Sequence, residues 1–506
     1  MAGVDPEIPQ LKDATRRLSQ DDTRFALGRI TVFQYVSLAV FVFLLSGFWV
    51  LQVRDAEENS QLAERNRIKT VPVLAPRGKI LDRDGRIIVD NKAAFTLLLS
   101  RENLNPDHID GIAAGLHLDA DEIRVRLKRF QSRPRYVPML IKQNLSESDI
   151  AFVESHRDAN TFPEMELVEN QQRLYPRDGL AAHAIGYVGE VSEQELNSAD
   201  FVKYSQGDIV GKAGLERQYN DQLIGIDGQR RVVVDSVGRE REVLESTEAT
   251  PGHNLQLTLD LDLQAVAELA LEGKKGAVVA LDPRSGEVLA MVSRPAFDPN
   301  AFAGHLSPEY WKQLTSGGDN PMLNRAIQAQ FAPGSTFKPI MALAGLETGT
   351  VTDHDTFLCP GGANFYGRYF KCWQPKGHGT VDVHRSIVQS CDVYFYNLGN
   401  KLGIDQIAEY GEMAGLGKRT GVDLPGEAEG LMPSSKWKLR TQREKWYAGE
   451  TISVSIGQGA VTVTPIQLAS AIGGIVSGGA WYKPHLVKTA AALEPRRSEL
   501  NPDHIA

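Results

Sequence analysis

Cysteine is scarce in this chain, with three residues among 506. That is too few for a disulfide framework, so where they fall matters more than how many there are. Long basic runs are missing as well. At a net charge of −9 and with no sustained Lys/Arg stretch, the chain carries no electrostatic footprint for nucleic acid. No short apolar segment followed by an Ala-x-Ala site is present, so a cleaved secretory leader is not expected. The remaining composition, 42% hydrophobic and 24% charged, is that of a folded protein long enough for several domains with ample core.

One apolar run stands out. Ile30 to Val53 holds 24 residues without a charge, bracketed by Arg29 and Arg54. That length crosses about 30 Å of hydrocarbon, and a buried soluble helix rarely goes so long uncharged. It reads as an uncleaved membrane anchor. Arg16, Arg17, Arg24 and Arg29 precede it, whereas Arg54 is followed at once by Asp55, Glu57 and Glu58. This bias puts residues 1–29 inside as a cytoplasmic tail and the bulk of the chain outside the cytoplasm.

Residues 54–70 read as a stalk. Asp82-Arg83-Asp84-Gly85 between apolar runs predicts a β-hairpin. A helical insertion runs from about Pro106 to Phe130. Gly211 to Tyr219 opens a helix ending near Gly225, and Arg230 to Glu245 alternates as a hairpin turning through Ser236-Val237-Gly238. Nothing between 54 and 255 suggests chemistry, and its charges are expected on solvated faces and at domain contacts. Pro251-Gly252 marks a boundary. Beyond it come a strand (Asn254 to Leu259), an amphipathic helix (Leu263 to Leu271) and a hairpin of Gly276–Leu281 with Glu287–Val292 around Asp282–Gly286. A hairpin ahead of a helix with an N-terminal serine is a two-layer arrangement of sheet and helix.

That helix follows Phe331-Ala332-Pro333-Gly334-Ser335-Thr336-Phe337-Lys338-Pro339. A Pro-Gly break precedes it, and Ile340, Leu343 and Leu346 repeat at helical spacing. Ser335 therefore sits near a helix N-terminus, with Lys338 on the same face. A serine hydroxyl becomes a nucleophile when a base takes its proton, and a desolvated amine can be that base. Ser-x-x-Lys recurs at Ser435–Lys438, so the tetrapeptide alone does not separate a nucleophile from an N-cap. A second cluster, Ser390-Cys391-Asp392, also precedes an apolar helix (Val393, Tyr394, Phe395, Leu398), and it too is open to a capping reading.

From about residue 30 onward the chain resembles the class B penicillin-binding proteins of the elongation type. Pro76–Arg83 and Gly211–Tyr219 match their pedestal motifs. Gly334–Pro339 matches the nucleophile motif and Ser390-Cys391-Asp392 the second motif. Trp446–Glu450, Ile456-Gly457-Gln458-Gly459 and Thr464–Gln467 match the stretch before the third. The resemblance implies an α+β protein: a transmembrane anchor (30–53), an elongated mixed pedestal (54–252) and a transpeptidase domain (253–506) built as an antiparallel sheet with helices. It implies Ser335 as nucleophile, Lys338 as base and Ser390 as a proton relay, with Asp392, where many relatives have Asn, holding Lys338 and the substrate amide. An Asp there also favours the charged amine, which opposes a base role unless proton transfers are coupled. The implied reaction is cross-linking of peptidoglycan stem peptides through an acyl-enzyme, with β-lactams as mimics. The implied partners are the rod-shape SEDS glycosyltransferase and elongation-complex scaffold proteins at the inner membrane. The third motif, Lys-(Ser/Thr)-Gly, is missing; Lys488-Thr489-Ala490 is a poor substitute. The expectation is a transpeptidase domain cut short and inactive as written. A division-type transpeptidase and a non-catalytic scaffold or β-lactam sensor of the same fold are the alternatives, and the Cys/His cluster with Trp373 and Gly377-His378-Gly379 favours the elongation type.

The cysteines lie in Cys359-x12-Cys372-x5-His378-x12-Cys391. Three thiolates and one imidazole make a closed tetrahedral zinc set. A Cys359–Cys372 disulfide beside an unrelated His378 and a buried Cys391 is the alternative that an oxidising compartment permits. The resemblance implies zinc, since elongation-type relatives can hold it beside the second motif. Because Cys391 lies between Ser390 and Asp392, a structural metal there would brace the catalytic helix.

Overall fold

The computed structural model describes residues 31–57, 68–101, 104–130, 138–158, 161–176, 179–198, 201–204, 207–234, 240–303, 306–489 and 493–505. The expected cytoplasmic tail, with Arg16, Arg17, Arg24 and Arg29, lies outside these residues, as do much of the stalk and the Ser236–Gly238 turn. The apolar run forms one helix, Thr31–Arg54, of mean hydropathy 2.2 and with none of its most apolar stretch buried in protein. It is long and apolar enough to cross a membrane.

The described chain packs as two compact units. One joins parts of the first 72 residues to Gln229–Thr247, and the other holds Val73–Gly228 and Glu248–Ala506. In the first, Ile68–Val73, Gly228–Val234 and Glu240–Thr247 form a three-stranded sheet, the last two antiparallel as the alternation predicts.

In the second unit the expected hairpin at Asp82–Gly85 is present. Ile80–Leu81 pairs antiparallel with Ile87–Leu99, and Leu255–Gln256 adds to it in parallel. The long strand continues into pairings with Met139–Lys142 and Met165–Leu174. The helices His108–Gly115, Ala120–Arg129 and Glu147–His156 cover that sheet, burying Leu97, Leu99, Ile112, Leu116, Met139 and Val153. Two termini show why these helices start where they do: Asp119 accepts from the Asp121 N–H, and Ser146 with Asp149 makes a capping box.

The charges of this region do not all lie on solvated faces. Glu216 is fully buried between Arg77 and Arg173, with Nε–Oε distances of 2.7 Å on both sides. Arg173 also donates to the Gly78 carbonyl at 2.7 Å, and Tyr175 Oη to Glu216 at 3.3 Å. Burial works against the carboxylate, but the two guanidiniums outweigh it and hold Glu216 below the usual range. The pedestal motifs thus contribute Arg77 and Glu216 to one buried ion cluster, which Arg173 completes. Their spacing in sequence concealed this, because Arg77 and Glu216 are 139 residues apart.

Farther on, Leu261–Ala270 packs on the antiparallel pair Gly276–Leu281 and Val288–Arg294. One apolar cluster draws on both stretches. Ile80, Val89, Tyr175, Leu215 and Leu223 meet Val288, Met291, Ile327, Leu424, Ile466 and Leu486. A second cluster surrounds the helices Lys338–Glu347 and Asp392–Leu402, including Phe337, Met341, Tyr394, Phe395, Leu398, Ile452 and Val454. These two helices carry the candidate site.

Candidate active site and metal-ligand cluster

Ser335 lies in a 3-10 turn, Gly334–Phe337, that runs into the helix Lys338–Glu347. Gly334 has φ +58° and donates its N–H to the Gly457 carbonyl at 2.8 Å. The backbones meet so closely that a Cβ on Gly457 would stand 2.2 Å from the Gly334 oxygen. The Ile456–Gly459 stretch thus supports the Ser335 turn directly. Ser335 caps neither helical segment; its hydroxyl accepts from Ser390 Oγ at 2.8 Å.

Lys338 is 2% exposed. Its amine donates to Asp392 Oδ1 at 2.6 Å, the Ser390 carbonyl at 2.9 Å and Ser390 Oγ at 3.0 Å, and it stands 5.4 Å from the Phe395 ring centre. Lys338 therefore reaches Ser335 through Ser390, whereas the shared helix face suggests a direct pair. Sequence spacing could not show this, because Ser390 is 52 residues from Lys338 and adopts φ +51° in the turn between Val383–Val388 and Asp392–Leu402. A non-glycine residue held in that region is uncommon, and here the turn aims its hydroxyl at Ser335. The capping reading of Ser390 fails: the cap position is Cys391, with no side-chain cap bond.

The second Ser-x-x-Lys match is structural. Ser434 caps the helix Ser435–Gln442, Ser435 bonds Asp405, and Lys438 pairs with Glu450. Lys488 is tied through its backbone N–H to the Gln256 carbonyl, and Ala490 lies outside the described residues.

The four cysteine and histidine residues converge beside this site. Cys359 ends the strand Phe357–Cys359, which pairs with Gly379–Val381. Cys372 follows Arg368–Lys371; the aromatic stretch, irregular in sequence, forms a hairpin of that strand with Gly362–Phe365. His378 Nδ1 is 3.6 Å from Cys359 Sγ and 3.5 Å from Cys372 Sγ, and the ligand atoms of Cys359, Cys372, His378 and Cys391 all lie within 4.8 Å of one another. No disulfide joins the three thiols. A tetrahedron around zinc at about 2.3 Å from sulfur has edges of about 3.8 Å, so the donor set fits that ion in number, type and spacing. Burial pushes the Cys391 thiol up to about 12.

Trp373 links the two clusters, a role the sequence reading missed by taking it only as a family marker. Its backbone N–H donates to Asp392 Oδ2 at 3.0 Å. Its indole N–H donates to the Ser390 carbonyl at 3.0 Å and the Gln389 carbonyl at 3.1 Å. Its ring centre lies 5.3 Å from that of His378. The signal available was adjacency to Cys372.

Two family models match the chain: a penicillin-binding protein dimerisation domain over residues 72–257 and a penicillin binding protein transpeptidase domain over 276–505. The chain is 38% identical over 495 residues to the peptidoglycan D,D-transpeptidase MrdA of Acinetobacter baumannii, covering 96% of this chain and 72% of that one. It is 33% identical to MrdA of Escherichia coli, covering 95% and 77%. Among solved structures, a PBP2–MreC complex from Helicobacter pylori matches at TM-score 0.75 and 29% identity, over 87% of this chain and 81% of that one. Pseudomonas aeruginosa PBP2 bound to WCK 5153 matches at TM-score 0.64 and 33% identity, over 86% and 79%.

Proposed function

The chain belongs to the penicillin-binding protein 2 (MrdA) group of class B penicillin-binding proteins, and from that premise we propose that it is an elongation-type peptidoglycan D,D-transpeptidase in which Ser335 is the nucleophile. The observation that carries the assignment of residues is the unbroken line of polar atoms Lys338 Nζ, Ser390 Oγ and Ser335 Oγ, at 3.0 and 2.8 Å. As an ammonium, Lys338 donates to all three of its partners. As a neutral amine it keeps two of those bonds, to Asp392 and the Ser390 carbonyl, and accepts from Ser390 Oγ. Hydroxyl protons rotate, so the same atoms run the chain in either direction. In the attack, Ser335 Oγ bonds to the carbonyl carbon of the D-Ala–D-Ala peptide. The Ser335 proton passes to Ser390, and the Ser390 proton to Lys338. Collapse breaks the C–N bond, and Ser390 returns a proton to the leaving D-alanine amine while regaining one from Lys338. An acceptor amine then repeats the sequence in reverse and forms the cross-link. A β-lactam enters by the same attack.

Cys359, Cys372, His378 and Cys391 would hold a structural zinc ion. When bound, it would tie the Phe357–Cys359 strand, the following hairpin and the Asp392–Leu402 helix into one rigid unit, without taking part in the chemistry. The helix Thr31–Arg54 would anchor the protein once in the inner membrane, N-terminus inside, with the catalytic domain periplasmic. A scaffold partner is supported by the PBP2–MreC neighbour, and a SEDS glycosyltransferase is the second partner, proposed on family resemblance.

Labelling of the protein in its native membranes with a fluorescent penicillin tests the reading. One adduct mapping to Ser335, and none in Ser335→Ala, is expected. An adduct on another residue, or none on the wild type, would overturn it.

A further inference from the structure

We propose that Trp373 is the positioning residue of this site: its indole N–H holds the Ser390 turn in its left-handed conformation, and its exposed ring forms a wall beside the nucleophile for the apolar part of an acylating substrate. The inference rests on Ser335 and Ser390 acting as described above.

Three observations meet at this residue. Ser390 stands at φ +51°, a conformation unfavourable for a residue with a Cβ, which persists only where surroundings over-determine it. The constraint falls on its carbonyl, which accepts from two donors, Lys338 Nζ at 2.9 Å and Trp373 Nε1 at 3.0 Å. Of these, Lys338 changes protonation state in the cycle, because its amine exchanges protons with the Ser390 hydroxyl. Trp373 does not titrate, so its N–H donates to that carbonyl whatever the protonation state of the amine. The residue is anchored at its own backbone too, where its N–H donates to Asp392 Oδ2 at 3.0 Å. One residue thus holds the carbonyl of Ser390 and the second oxygen of Asp392, the two partners of Lys338.

The third observation is exposure. Trp373 is 61% exposed although its polar edge is fully engaged. A tryptophan placed only to pack would bury its ring; here the ring meets His378 at a tilt and the residue stays mostly exposed. The exposed ring is held by its N–H edge at Ser390, whose hydroxyl touches Ser335. An apolar plate held by its own N–H beside a nucleophile suits the nonpolar side of an acyl donor.

The test separates the two halves of the role. In Trp373→Phe, and in a variant carrying 3-benzothienylalanine, which keeps the shape of tryptophan but lacks the N–H, the acylation rate constant for a fluorescent penicillin falls about five- to tenfold, the kinetic equivalent of one net hydrogen bond. The dissociation constant of the non-covalent penicillin complex stays within twofold, and zinc content and thermal midpoint stay at the wild-type values. In Trp373→Ala the dissociation constant rises as well. Wild-type rates in both N–H-deficient variants would overturn the proposal. So would rate losses that merely track lost zinc or lost folded protein, which would make Trp373 a packing residue. A wild-type protein that takes no adduct at Ser335 would instead remove the reading beneath it, so the two failures are distinct.

Discussion

Replacing Gly457 with alanine isolates the support of the nucleophile turn. Gly457 has φ +70°, where a Cβ costs about 1–2 kcal/mol. The new Cβ would stand 2.2 Å from the Gly334 oxygen and 2.7 Å from its nitrogen, whereas real contacts of this kind do not fall below 3.0 Å. Both atoms are backbone, so no side chain can swing away, and the two segments must part by about 0.8 Å. That movement strains the 2.8 Å bond from the Gly334 N–H to the Gly457 carbonyl, worth about 1 kcal/mol net. The combined cost is about 3 kcal/mol, and it falls on the residue before Ser335. A displacement near 1 Å at a reacting group costs on the order of 10² in rate. The assay is the second-order rate of fluorescent-penicillin acylation in native membranes, with the thermal midpoint on the same samples. Gly459→Ala is the control. It carries the same left-handed strain, at φ +79°, but its Cβ would meet nothing nearer than 3.5 Å. It should lose a comparable 1–2 kcal/mol from conformation alone and keep its acylation rate within threefold. If Gly457→Ala acylates within threefold of wild type, the support argument is wrong.

Two further outcomes are expected. Cys372→Ala, with His378 and the other two cysteines intact, should lose most bound zinc by elemental analysis and lower the thermal midpoint; unchanged metal content would remove the zinc assignment. His183 is buried and bonded through Nε2 to the Pro321 carbonyl at 2.7 Å, and burial lowers its pKa to about 4. The unfolded chain takes up this proton near pH 6.5 and the folded chain not until about pH 4. Stability is therefore whole above pH 6.5 and falls by about 3 kcal/mol as pH drops to 4. The pH dependence of the thermal midpoint in His183→Asn should be flatter across that window, and a parallel curve would refute the assignment.

Local features were legible from the sequence, and relations between distant segments were not. The membrane-length helix could be read because 24 residues without a charge run longer than a buried soluble helix usually does. Ser335 and Lys338 could be placed at one site because one helical turn separates them, though Lys338 meets Ser335 through Ser390. That Ser390 stands between Lys338 and Ser335 could not be read, since it depends on a left-handed turn at Ser390 that no residue type announces. The convergence of Cys359, Cys372, His378 and Cys391 was legible as spacing, but that Cys359 and Cys372 bracket a paired hairpin was not, because Arg368–Lys371 carries no alternation. The charges of the pedestal misled for a related reason. An Arg or Glu reads as solvated by default, and only the fold shows Glu216 closed between two arginines.

The apolar cluster that runs from Ile80 and Val89 through Leu215 and Leu223 to Met291, Ile327, Leu424 and Leu486 bears on inheritance. The two regions that family models treat as separate domains fill one interior. Tyr219 of the first adds a hydrogen bond to Asp423 of the second at 2.9 Å, and Asp423 also receives the N–H groups of Leu486 and Val487. A recombination event that joined the dimerisation region of one homologue to the transpeptidase region of another would have to match side-chain volumes across that interior, residue against residue. Neither region can drift freely while the other is held, so the pair is expected to pass between lineages as one cassette, with compensating changes on its two sides.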